Sequence, residues 1–208
     1  MNNLAYSNQK PENVAPKVEE IVRKDLGVND ALPFTVDETG ATKEGALNAI
    51  LKDGASMLFG GKETNLFTVN FDFQQPRASQ LNVQINRQGV GCHAGSLIFS
   101  TFINKPIKGP ISMEGPKMFG TSKFIGDSEA SAKLNNNKDL LKLADKFART
   151  KSDVAGGLKM DRFFKMEPFN NGATLVIITL ARATSMGMSA TTDAKDFFAI
   201  AQMIEAAL

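Results

Sequence analysis

The 208-residue chain has no tryptophan, one tyrosine, one cysteine and one histidine. Each scarcity removes a class of chemistry. A disulfide needs two thiols, so Cys92 has no partner within the chain and a cystine-framed secreted scaffold is excluded. A structural zinc site takes about four Cys or His ligands, and the chain offers two, side by side at Cys92-His93. Two-histidine metal motifs and paired-histidine haem ligation fall for the same reason, so neither a metal nor a cofactor is expected. Tyr and Trp anchor most protein-recognition hot spots and sugar platforms, and their near-absence argues against both.

Long apolar runs are also missing. Leu175-Val176-Ile177-Ile178, with Leu180 just behind, has the length of a strand and falls far short of the ~20 residues of a membrane helix. No membrane contact is expected. Residues 1–15 are rich in Asn, Gln and Pro without an apolar centre, and read as a flexible polar arm instead of a signal or transit peptide. Cytoplasmic residence with a reduced Cys92 is the corresponding expectation.

Charge is nearly balanced, 24 basic against 22 acidic side chains, although residues 1–104 carry 9 and 11 and residues 105–208 carry 15 and 11. So small an excess does not predict nucleic acid as a partner.

What the chain has in quantity is phenylalanine, fifteen residues of it, placed with period. Phe67, Val69, Phe71 and Phe73 alternate with Thr68, Asn70 and Asp72; Leu81, Val83 and Ile85 alternate with Asn82, Gln84 and Asn86. Strict alternation over this length predicts two half-buried strands, and the intervening Gln-Gln-Pro-Arg-Ala-Ser predicts a hairpin. Further strands are expected at 97–103, 159–166 and 174–180, the last apolar on both faces and therefore central. Helical spacing predicts helices at 16–26, from Thr42 to Gly60-Gly61, at 138–150 and at 192–208. Residues 16–208 thus read as a single α+β domain, an antiparallel sheet of about five or six strands with helices packed mainly on one face. A weak internal echo accompanies this reading. Gly60-Gly61 and Gly156-Gly157 each follow a predicted helix and precede a hairpin, as a duplicated α-β-β unit would.

Four features carry candidate chemistry. Cys92-His93 lies within Gly89-Val90-Gly91-Cys92-His93-Ala94-Gly95, and a thiolate with an imidazole is the minimum for a cysteine nucleophile and its base. Neighbours on an extended chain point apart, however, so the two meet only in a tight turn. The plainer alternative is a glycine-rich connection with an incidental thiol. Residues 104–123 form the longest irregular stretch, with three prolines and Lys105, Lys108, Lys117 and Lys123. They suggest a basic flap over an anionic ligand or acidic partner, or a loop that merely crosses the sheet end. Arg182 at the end of the apolar strand can clamp an anion. The amide-rich face of the first hairpin offers hydrogen-bonding groups at regular intervals, as a solvated sheet also does. Carboxylate pairs such as Asp127 with Glu129 have no specificity among 22 acidic residues. Neither phosphate-loop nor dinucleotide-loop spacing is present.

The function expected is non-catalytic binding or assembly. Its contact elements would be the 104–123 loop, Arg182 and the apolar C-terminal helix, which suits a two-fold subunit contact. The alternative is a hydrolase or transferase using Cys92 as nucleophile and His93 as base.

Overall fold

Alternating apolar residues need a partner layer on one side only, and this is how the sheet is built. A computed structural model describes residues 10–37, 66–86, 93–114, 122–148, 163–184 and 192–208. The strands are β1 (Phe34–Asp37), β2 (Leu66–Phe73), β3 (Ser79–Asn86), β4 (His93–Ile103), β5 (Ile111–Glu114), β6 (Lys123–Gly126), β7 (Phe163–Pro168) and β8 (Thr174–Thr184). They form one sheet in the order β1-β2-β3-β4-β8-β7-β5-β6, and every neighbouring pair is antiparallel. The α+β class stands; the described residues hold eight strands where five or six were expected.

Register sorts the side chains into two faces. Phe71 pairs with Leu81, Leu81 with Phe99, Phe99 with Ile178 and Ile178 with Phe164. All five are buried. Against this face pack helices α1 (Pro11–Leu26), α2 (Ser128–Asn136), α3 (Lys138–Ala148) and α4 (Ala194–Ala207). They contribute Val14, Val18 and Val22, Leu134, Leu140, and Phe197, Ile200 and Ile204 to the same core. Phenylalanine fills the centre: the Phe99 ring stacks on Phe197 at 5.4 Å and meets Phe198 edge-on at 5.2 Å. The second face carries Asn70, Asp72, Gln80, Asn82, Ser100 and Thr179 around a small apolar cluster of Ile98, Leu175 and Ile177. Strand β8 is therefore apolar on both sides and sits fourth from one edge and fifth from the other.

Several expectations shift in detail. Helix α1 begins at Pro11, so residues 11–15 belong to it and not to a polar arm. Both Pro11 and Pro16 suit a first helical turn, and burial of Val14 and Ala15 selects the earlier one. The helix ends on Gly27, whose φ of 71° lets the Gly27 and Val28 amides return to Lys24 O and Arg23 O. The 104–123 stretch holds a strand, β5, and the first residue of another, β6. Ile107 and Ile111 are buried there, which fixes a segment that Pro and Gly make look irregular. Helix α2 was not expected at all. Asp127, weighed above as an acid, caps it by accepting from the Glu129 and Ala130 amides at 3.1 and 3.2 Å. The helix expected from Thr42 lies outside the described residues. Both hairpins of the internal echo enter the sheet, but β4 stands between β3 and β8, an order that repetition of an α-β-β unit alone does not produce.

Candidate functional site

The described residues among those singled out in the sequence are spread over separate places in the sheet and its connections. His93 opens β4 opposite Thr184, and Arg182 on β8 lies opposite Gly95, so the register makes His93 and Arg182 diagonal neighbours. Cys92 lies outside the described residues, as does Lys117. Lys105 marks the start of the β4–β5 connection, where its carbonyl accepts from Thr174 Oγ1 at 2.6 Å. Lys108 lies at the corner before α2: its amide donates to Asp127 Oδ2 at 2.6 Å and its ammonium pairs with Glu129 at 2.8 Å. Lys123 pairs across the β5–β6 hairpin with Glu114 at 3.3 Å.

Lys108 and Lys123 do not meet on a common carboxylate. The hydrogen bond from Lys108 holds the Glu129 carboxyl below its ordinary range, and the same bond raises the Lys108 ammonium. Asp127 is lowered chiefly by the Lys108 amide, then by that of Ala130. Each of Lys108 and Lys123 has its own carboxylate, so among the described residues the two pairs stitch a corner and a hairpin separately.

The C-terminal helix resolves in the same direction. Its apolar residues Phe197, Ile200, Ala201 and Ile204 face the chain's own core and are at most 2% exposed. A subunit contact would have to use its outer positions, such as Lys195, Gln202 and Ala206.

Where the amide face of the first hairpin runs out, the structure opens a cavity of about 240 Å3. It is lined by Asp72 and Phe73 at the end of β2, Gln74 and Ala78 in the turn, Ser79 and Gln80 on β3, and Ser100, Thr101 and Phe102 on β4. Drug-sized ligands occupy roughly 300–1,000 Å3, so this cavity suits something smaller. Its walls are cross-braced. Ser79 Oγ donates to Thr101 Oγ1 at 3.0 Å, and Thr101 Oγ1 donates to Ala78 O at 2.9 Å. Arg77 donates through Nη1 to Phe102 O at 3.1 Å and through Nη2 to Glu205 of α4. Glu205 also accepts from the Asn104 amide at 3.3 Å, tying the hairpin turn, the end of β4 and the last helix together. The Arg77 hydrogen bond holds the Glu205 carboxyl below its ordinary range.

On the cavity rim Gln80 Nε2 donates to Asp72 Oδ1 at 2.8 Å, and one rung further Asn82 Nδ2 donates to Asn70 Oδ1 at 2.7 Å. Phe102 forms one wall. It is 42% exposed, and its ring lies 4.7 Å from that of Phe169, itself 40% exposed. The sequence flagged Asp72 and its polar neighbours but missed Gln80, Ser100 and Phe102. Continuing the 97–103 alternation onto its second face, Ile98-Ser100-Phe102, was the available signal.

Comparison of the chain with protein-family models, with curated proteins and with solved structures finds no match in any of the three. The cavity is accordingly interpreted from its own chemistry. Among the described residues no cluster of three or more His, Cys, Asp or Glu is placed to hold a metal ion, and no helix is long and apolar enough to cross a membrane.

Proposed function

We propose that the chain is a non-catalytic binding module for a small polar ligand, held in the cavity at the β2–β3 turn. The observation that carries this reading is the braced cavity itself. A carboxylate, an amide and a hydroxyl on three successive strands share its rim with a half-exposed phenyl ring. Polar groups fixed in advance by their neighbours lose little freedom on binding, which is what a small ligand with few contacts requires. The contact element thereby moves from the 104–123 loop, whose Lys108 and Lys123 are already paired, to the opposite side of β4.

The test is a set of amide NMR titrations of the full chain with small alkylamines, polyols and carboxylates. Saturable shifts confined to Asp72, Gln80, Ser100, Phe102 and their neighbours are expected for at least one class. Titrations that leave those residues unmoved in every class overturn the reading.

A further inference from the structure

Resting on that reading, we infer that the cavity selects an alkylammonium, a primary amine carrying a short apolar body. Among the described residues Asp72 is the only charged side chain in the lining. No ion pair to it is formed among the described residues: Arg77, the nearest candidate in sequence, spends its guanidinium on Glu205 and Phe102 O. Gln80 directs its Nε2 donor at Asp72 Oδ1, which leaves Gln80 Oε1 and Asp72 Oδ2 to accept. Ser100 adds a hydroxyl on the next strand.

The same surplus of acceptors continues along β3, where Asn82 Oδ1 and Gln84 Oε1 are buried with no hydrogen-bond partner among the described residues. Gln74 and Ser100 keep N–H and O–H donors in such a rim, so what turns an anion away is the charge of Asp72. An ammonium brings a positive charge and three N–H groups, which suit the Asp72 carboxylate and the free acceptor of Gln80.

The apolar part of the ligand follows from Phe102. Asp72, Gln80 and Ser100 are register partners across β2, β3 and β4, and Phe102 lies two residues beyond Ser100. With strands about 4.8 Å apart and about 6.7 Å per two residues, the carboxylate and the ring stand roughly 12 Å apart at their backbones. Both side chains stand on the same face of the sheet, which leaves room for one short chain or one ring between them. Phe169 extends the apolar wall beside Phe102.

The experiment compares three probes with the same tail, n-hexylammonium, hexan-1-ol and hexanoate, titrated into the millimolar range and followed by amide shifts at Asp72, Gln80, Ser100 and Phe102. Hexylammonium is expected to bind roughly five- to tenfold more tightly than hexanol, because one partly exposed charge-assisted contact separates them. Hexanoate is expected to leave these residues unmoved. Asp72→Asn keeps an oxygen for Gln80 and should bring hexylammonium down to the level of hexanol, with the amide spectrum elsewhere unchanged. Phe102→Ala should weaken both. Equal binding of all three probes, or wild-type affinity for hexylammonium in D72N, overturns the ammonium inference and leaves the binding reading standing. So does a cavity that ignores the hexyl series yet responds to glycerol. Silence toward every probe overturns both.

Discussion

Glu205 is the residue whose removal tests the bracing most directly. Its carboxylate receives Arg77 Nη2 from the hairpin turn and the Asn104 amide from the end of β4, while its own helix is anchored in the core by Ile204. Glu205→Gln keeps the size and removes the charge. The new amide can still accept from Asn104, but its NH2 then confronts the Arg77 donor, so one charge-assisted contact is lost and one donor is left facing another. The pair is neither buried nor free, with side chains 19% and 30% exposed. A charge-assisted hydrogen bond contributes about 1.5–3 kcal/mol, and solvent screening reduces that here to about 1–2 kcal/mol. For a chain of this size such a loss lowers Tm by roughly 2–8 °C.

The pH dependence supplies a second readout of the same contact. Because the folded carboxyl is held below its unfolded value, its contribution is complete above the ordinary carboxylate range. It fades as pH falls through that range towards the folded value. Wild type should therefore lose stability on acidification more steeply than E205Q, and the two curves should converge at low pH. Urea unfolding at pH 7, 5 and 3 measures the difference. Equal stabilities at pH 7, or parallel acid limbs, would refute the clamp.

Four further substitutions probe the rest of the fold. Asp25 Oδ2 accepts from the Ala194 amide at 2.6 Å and from Thr192 Oγ1 at 2.8 Å, capping α4 from the end of α1 while Asp193 makes no side-chain cap. Asp25→Ala should cost about 1–2 kcal/mol by urea midpoint, and an unchanged midpoint would count against a remote cap. Phe99→Ala, at a ring with no exposed surface between Phe197 and Phe198, should cost about 3–5 kcal/mol; a loss below about 1 kcal/mol would mean the core closes over the gap. Gly126 and Gly27 both have positive φ, but a Cβ on Gly126 would lie 2.1 Å from Pro110 O, and one on Gly27 would meet nothing within 4 Å. Gly27→Ala should therefore cost about 1 kcal/mol from backbone strain alone, and Gly126→Ala clearly more by chemical denaturation. Equal losses would contradict the Pro110 contact.

Legibility in the sequence followed the size of the side-chain signal. Strands β2 and β3 were readable because phenylalanine and branched residues alternate with amides, and β8 because Leu175 and Ile177 are apolar on the face opposite Val176 and Ile178. Strands β1, β5 and β6 were not. Each is four residues long, and a short strand is held largely by backbone hydrogen bonds that leave no trace in composition. Helix α2 was hidden for a related reason. Its buried residues are only Ala130, Ser131 and Leu134, so Asp127 defines it more than any apolar stripe. The cavity needed facts that no local pattern holds: the placement of β4 beside β3, and an Arg77–Glu205 contact between residues 128 positions apart.

The β4–β8 seam has a consequence for how the chain comes into being. Ile103 meets Thr174 and His93 meets Thr184, so the longest ladder in the sheet joins segments from opposite halves of the chain. During synthesis β4 leaves the ribosome with β3 already available on one side and nothing on the other. It waits, as an apolar edge, until β5, β6, α2, α3 and β7 have all been made. An unpaired edge of this kind invites pairing with another nascent chain. Expression yield should accordingly depend on whatever shields β4 during that interval, such as slower initiation or a chaperone, more than on the stability of the finished fold.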